Sequence, residues 1–297
     1  MKRIGFIGIG NMGWPMAANL VAKGFDVTVA DTDAARVARF ASETGARAAT
    51  DAADAARDAD AVVTILPTSK QVALVAAAAK PALRAGALFI DMTSGQPGAT
   101  RAIAADLASV GVTMLDCPVS GGVPRAKTGE LAIMAGGEAA ALDAAEPVLR
   151  AMGTSIHRCG GIGAGQAMKA LNNLVSAGGF LIGIEALLIG QKFGLDPALM
   201  IDVLNASTGM NNSTQKKFKQ FVLSRRFDSG FSLELMVKDL SIALEVGRDN
   251  AVPTPFAALC RELWAAAATS LEPGEDHTGV AKLPERLAGT ALGGGNA

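Results

Sequence analysis

Along the first 160 or so positions, apolar residues fall in short unbroken runs separated by stretches where they recur every three or four residues. The runs lie at 3–9, 25–31 ("FDVTVAD"), 59–67 ("ADAVVTILP"), 86–92 ("GALFIDM"), 112–120 ("VTMLDCPVS") and 130–137 ("ELAIMAGG"), with a shorter one near 154–159. Strands buried on both faces of a parallel sheet read as such runs, not as alternation. The stretches 12–23, 33–43, 69–84, 97–110 and 138–151 have helical spacing. This regular β-α alternation predicts an α/β domain with a doubly wound, mostly parallel sheet.

The pattern changes after Gly165. Helical periodicity then continues without a clear strand, at 165–193, 197–206, 212–222, 232–249, 254–268 and 276–288. Two domains are expected: 1–162 with the sheet, and an all-α domain at 163–290 for substrate binding and oligomerisation. The tail 291–297 ("ALGGGNA") is expected to be disordered. The segment Ala170–Ile189 has the length of a membrane span, but it contains Asn172, Asn173, Ser176 and Glu185. It reads as a long core helix, and no membrane partner is expected.

Composition narrows the function. Half of the residues are hydrophobic and 19% are charged, as in a folded globular chain. The net charge of −1 offers no basic field for nucleic acid. Lys216-Lys217 and Arg225-Arg226 read as solvated faces. Cys117, Cys159 and Cys260 form no C-x-x-C pair, which suits a reducing, cytoplasmic setting. "MKRIGFIGIG" reads as a strand, not a signal peptide. His157 and His277 lack ligand spacing, so no metal site is expected.

Gly8, Gly10 and Gly13 form G-x-G-x-x-G between a strand and a helix, the context of a dinucleotide-binding loop. The first glycine permits the turn, the second lets backbone approach a pyrophosphate, and the third lets helix and strand pack closely. Asp31 ends the next strand, 21 positions after Gly10, where a carboxylate would bond the ribose hydroxyls of NAD. Thr32 follows it, not Arg, so NAD is expected over NADP, although Arg36 one turn later softens that preference. The cofactor side is expected to comprise Gly8, Gly10, Asn11, Met12, Gly13, Asp31 and Thr32. Leu66, Pro67, Gln71, Thr93 and Ser94 join them from loops and a helix start after two later strands. Those loops are either walls of the nicotinamide site or ordinary connections.

A second glycine cluster, "GGIGAGQAMKALNN" at 160–173, does not repeat the fingerprint, because position 166 is Gln. It reads as a connector that delivers Lys169 near the start of the long helix. Asn172, Asn173 and Ser176 lie within about 60° of Lys169 on that helix. A lysine there meets the unfavourable end of the helix dipole, and dipole and burial together would lower its pKa, as a proton donor near neutral pH requires. A snorkelling lysine with capping asparagines is the alternative. In "DCPVSGG" (116–122), Ser120, Gly121 and Gly122 offer either an anion nest for a carboxylate or a plain turn. In "LMVKDLSIAL" (235–244), Lys238 either reaches cofactor or substrate or forms a helical surface pair.

Taken together, "GFIGIGNMGWPMAANL", "LPTS", "DCPVSGGVPRAKTGELAIMAGG", "GIGAGQAMKALNN" and "KDLSIAL" resemble the β-hydroxyacid dehydrogenases over nearly the whole chain. The resemblance implies a Rossmann domain, a long interdomain helix and a helical C-terminal domain, often as homodimers or homotetramers. It implies NAD(P)-linked hydride transfer at the β-carbon of a short 3-hydroxy acid such as 3-hydroxyisobutyrate. Tartronate semialdehyde or a related aldehyde-acid is the alternative substrate, and a non-catalytic NAD-binding module the alternative of another class. The resemblance makes Lys169 of K-x-x-N-N the acid/base group. It gives the substrate carboxylate to Ser120, Gly121 and Gly122, substrate orientation to Asn172 or Asn173, and a cofactor contact to Lys238. Departures from the family pattern are "DMTSGQP" (91–97) and the polar "STGMNNSTQKKFKQF" (207–221), with Asn211 and Asn212.

Overall fold

A computed structural model of the chain describes residues 1–293. It divides into two compact units, Met1–Lys169 and the residues from Ala170 on. The division falls later than the expected boundary at 162/163, so the start of the long helix belongs with the sheet.

The first unit is one sheet of nine strands: β1 (Arg3–Ile7), β2 (Asp26–Ala30), β3 (Arg47–Ala48), β4 (Ala61–Thr64), β5 (Leu88–Asp91), β6 (Thr113–Asp116), β7 (Val119–Ser120), β8 (Leu131–Gly136) and β9 (Gly153–Gly160). The order is β3-β2-β1-β4-β5-β6-β8-β7, with β9 on β8. From β3 to β6 every pairing is parallel. β8 runs antiparallel to β6 and β7 and parallel to β9. The run 112–120, expected as one strand, is two. Pro118 between them has no N–H for a ladder.

Alternate residues of the parallel strands face opposite layers. Phe6, Val29, Val63, Ile90 and Leu115 bury themselves with Leu20 and Phe40 on one side. Ile7, Val62, Phe89 and Met114 do so with Val72 and Leu107 on the other. Both faces are therefore dry, which explains the continuous apolar runs. Helices at Ala52–Ala56 and Gly122–Thr128 had no counterpart in the pattern of the sequence.

The second unit is helical. Phe180, from the long helix Ala164–Phe193, centres its core, with ring centroids 5.1 Å from Phe218 and 5.9 Å from Trp264. Ile184 and Leu187 of the same helix are fully buried, as a core helix requires. The expected helix 212–222 breaks at Lys217 into Asn212–Lys216 and a wide helical turn, Phe218–Leu223. Lys217 is not on a solvated face: its ammonium donates to Nε2 of buried His277 at 3.0 Å. Arg225 is exposed as expected, and its guanidinium forms a two-pronged pair with buried Glu285. The expected disordered tail begins too early at 291. Leu292 is fully buried, and its N–H bonds Glu285 Oε1 at 2.8 Å. Residues 294–297 of that tail lie outside the described residues.

Candidate active site

The loop after β1 is shaped by its glycines. Gly8 has φ +97°, and a Cβ there would lie 2.4 Å from Ile65 O. A Cβ on Gly13 would lie 1.8 Å from Gly8 O, so the helix Gly13–Ala22 packs against the loop only because position 13 is bare. Gly10 differs, since a Cβ there would meet no protein atom within 4 Å. The space beside Gly10 is thus open, as close approach of a pyrophosphate demands. Asn11 is exposed and Met12 half-buried in the same turn. The loop lies where the chain order reverses between β1 and β4, the switch point at which open α/β sheets bind ligands.

Asp31 follows β2 as expected, but its carboxylate is more engaged than a bare ribose acceptor. Oδ2 accepts Ile9 N–H at 2.8 Å, and Oδ1 accepts Asp33 N–H at 3.0 Å. Arg36 Nη1 stands 3.5 Å from Oδ1 and also pairs with Asp33 at 3.3 Å. Asp31 therefore tethers the glycine loop to β2, and Arg36 is held on the carboxylate. Thr32 is exposed beside them. The glycine cradle and the acid at its rim fit NAD.

Leu66 and Pro67 follow β4, and Thr93 and Ser94 follow β5, at one edge of the sheet. The structure ties these loops together: Thr93 Oγ1 accepts Leu66 N–H at 2.9 Å. Thr93 is buried, so its hydroxyl braces the two loops from behind. Gln71 is exposed in the helix Ser69–Ala79 and contacts the Thr68 hydroxyl. Ser120 ends β7, half-buried; Gly121 and Gly122 follow with φ of +131° and +66° and open the helix Gly122–Thr128. Two successive positive φ values are what these glycines make possible.

The second glycine cluster is a junction. A Cβ on Gly165 would lie 2.3 Å from Met134 O and 2.6 Å from Asp116 O. Bare glycine lets the long helix begin directly against β6 and β8. Asp116 caps it: Oδ1 accepts Gly163 N–H at 2.7 Å and Oδ2 accepts Gln166 N–H at 2.8 Å. The Gln166 side chain accepts Gly95 N–H at 2.7 Å and donates to Thr93 O at 2.8 Å and Asp91 Oδ2 at 3.4 Å. Asp91 Oδ1 takes the Thr64 hydroxyl at 2.9 Å and Thr93 N–H at 3.1 Å. Burial pushes both carboxyls up to about 6, against these hydrogen bonds. Lys169 follows one turn later, only 8% exposed.

Asp91, Asp116 and Gln166 were not singled out in the sequence. The signal in the sequence was partial: each of two successive apolar runs carries one acid, Asp91 and Asp116, and the structure shows these to be register partners at the ends of adjacent strands. Two acids closing adjacent buried strands are rarely there for packing.

In the second unit, Asn173 donates to Asp239 Oδ2 at 2.5 Å and accepts from Asn172 Nδ2 at 3.1 Å. Asp239 Oδ1 lies 3.1 Å from Lys238 Nζ, an ion pair with poor hydrogen-bond angles. Asn173 is thus a buried support for half-buried Asn172. Asn211, a candidate for substrate polarity, is engaged as a cap: Oδ1 accepts Ser213 and Thr214 N–H, and Asn211 N–H donates in turn to Thr214 Oγ1. Among the described residues, no cluster of His, Cys, Asp and Glu could hold a metal ion.

A doubly wound sheet, a glycine cradle at its switch point and an acid closing the second strand define an NAD(P)-dependent oxidoreductase. The NAD-binding domain of 6-phosphogluconate dehydrogenase matches residues 3–161. The family described as "NAD-binding of NADP-dependent 3-hydroxyisobutyrate dehydrogenase" matches residues 163–284. The 2-(hydroxymethyl)glutarate dehydrogenase of Eubacterium barkeri is 35% identical, over 99% of this chain and 98% of its own. The 3-hydroxyisobutyrate dehydrogenase of Pseudomonas aeruginosa is 37% identical, over 95% and 98%. The structure of Mycobacterium tuberculosis 3-hydroxyisobutyrate dehydrogenase with L-serine superposes with a TM-score of 0.88 at 34% identity, over 95% of this chain and 98% of that one. The chain belongs to the β-hydroxyacid dehydrogenase family: it is an NAD-dependent dehydrogenase of hydroxy acids.

Proposed function

We propose that the substrate is a 2-substituted 3-hydroxypropanoate, oxidised reversibly at the hydroxyl-bearing carbon with Lys169 as acid/base. The three molecules named for the relatives support this class. 2-(Hydroxymethyl)glutarate, 3-hydroxyisobutyrate and L-serine share HO–CH2–CHR–COO⁻ and differ only in R. Glycerate, the product of tartronate semialdehyde reduction, has the same frame.

NAD, when bound, supplies the hydride acceptor. Asp31 and the glycine loop would hold it at the switch point, and Leu66, Pro67 and Ser94 would line its nicotinamide end. Ser120, Gly121 and Gly122 receive the carboxylate through a hydroxyl and backbone N–H groups. The Lys169 amine would take the hydroxyl proton as the substrate carbon becomes a carbonyl and its hydride passes to the nicotinamide, and would return that proton in reduction. The observation carrying this reading is where the lysine stands. It is buried one turn after Gln166, whose side chain grips the loop after β5 at the ligand-binding edge.

The test is nicotinamide reduction over a panel of acids with varied R, using NAD and NADP separately. Lys169→Ala is expected to lower turnover by about 10²-fold or more while NADH still binds. Full activity in that variant would sink the acid/base assignment.

A further inference from the structure

We propose that Asp116 and Gln166 are positioning residues for Lys169, fixing the origin and the rotation of the helix that carries it. The inference rests on the reading of Lys169 as the acid/base group.

A helix start leaves several backbone N–H groups without intrahelical partners, and one short side chain commonly serves one or two of them. Here both oxygens of a single buried carboxylate take N–H groups of different residues, Gly163 and Gln166. Two bonds from one rigid group fix where along its axis the helix begins. Rotation is fixed separately by the Gln166 side chain, which bonds Gly95 N–H, Thr93 O and Asp91 Oδ2. Gln166 and Lys169 are three residues apart and so are neighbours on the helix surface. Whatever moves Gln166 moves Lys169.

The same amide grips the loop after β5, a proposed wall of the nicotinamide site. One side chain thus sets the lysine and that wall in mutual register. The junction is also an expensive way to hold a helix. Asp91 and Asp116 are adjacent and buried. Apolar packing is often as stable as buried charge, or more so. A polar clamp in that place answers a need for geometry: misplacement of a reacting group by about 1 Å reduces turnover by about 10²-fold.

The test is a double-mutant cycle on the full-length protein. Gln166→Met keeps the side-chain length and deletes all three bonds. It is expected to lower kcat by about 10²-fold, leaving KM for NAD and the dissociation constant of NADH within about threefold. In the Lys169→Ala background the same change is expected to alter the residual kcat by less than about threefold, because its effect passes through the lysine. An equal loss in both backgrounds, or no loss in the parent, would overturn the proposal. Lys169→Ala with undiminished kcat would instead overturn the acid/base reading, whatever Gln166 does. Asp116→Asn retains shape but replaces one accepting oxygen with a donor, and repeats the cycle from the other end of the clamp if Gln166→Met does not fold.

Discussion

Asn173 donates its side-chain N–H to Asp239 Oδ2 at 2.5 Å, and both side chains are almost completely buried. Removing either partner leaves the other without its bond in a dry place. Asp239→Ala and Asn173→Ala are each expected to destabilise the helical unit by ~1–3 kcal/mol. The double variant should lose clearly less than the sum. Urea unfolding of the three variants checks this; strict additivity would mean the pair is not coupled.

Two glycines of one motif should fail differently. Gly10→Ala adds a methyl group to open space, so the melting temperature should stay near that of the parent while NADH affinity falls about tenfold or more. Gly13→Ala drives Cβ into Gly8 O, and should destabilise the fold by ~1–3 kcal/mol or more. Calorimetry with and without NADH separates the two. A Gly10→Ala variant that binds NADH normally would remove the pyrophosphate from that loop.

Arg36 is held on Asp31 and Asp33. Asp31→Ser would leave the guanidinium paired with Asp33 alone, at the place where the 2′-phosphate of NADP lies in such folds. The variant is expected to lose about tenfold or more in kcat/KM with NAD and to gain with NADP. Adding Arg36→Ala should cancel the gain. Kinetics with both cofactors decide it, and a gain that survives Arg36→Ala would exclude the arginine.

Acid should weaken the two units unequally. Burial, then the Lys217 ammonium, hold His277 down to about 4 against an ordinary 6.5. The unfolded chain takes up that proton first as pH falls. The stability from neutral His277 is therefore complete above about 6.5 and lost as pH drops through about 4, by up to ~3 kcal/mol. Asp91 and Asp116 run the other way. Their raised values near 6, against 3.8, mean that the folded chain takes up protons first, which stabilises the sheet unit as pH falls through that window. Hydrogen exchange between pH 6.5 and 4 should show protection falling first in the helical unit, less so in His277→Gln. Parallel loss in both units would contradict this.

Val175, Ile182 and Ile189, spaced by seven, and Phe193 form one apolar stripe on the long helix, and Val175, Ile189 and Phe193 are 77%, 71% and 83% exposed. A stripe of this kind can pair with itself across a two-fold axis. The chain is expected to self-associate through it, and Ile182→Glu with Ile189→Glu should yield a monomer in sedimentation. Unchanged association in that variant would place the contact elsewhere.

What the sequence disclosed and what it withheld divide by range. The parallel strands were legible because burial on both faces leaves continuous apolar runs. Gly8, Gly10, Gly13 and Asp31 were legible because their spacing is local. The helix Gly122–Thr128 was hidden by its glycine start and polar composition, and the break at Lys217 by periodicity that continues across it. The bond from Gln166 to Asp91 spans 75 residues, so no window of sequence contains it. Asp116 lay in the middle of the run 112–120, read as a single strand, and only the break after it and the residues it caps reveal its role.

The matched families meet between residues 161 and 163, inside the clamp that Asp116 closes on Gly163 and Gln166. A chimera spliced at that seam would join the acid of one parent to the glycines and glutamine of another. Exchange of helical domains between relatives should therefore cross over beyond Lys169, so that cap and capped residues are inherited together.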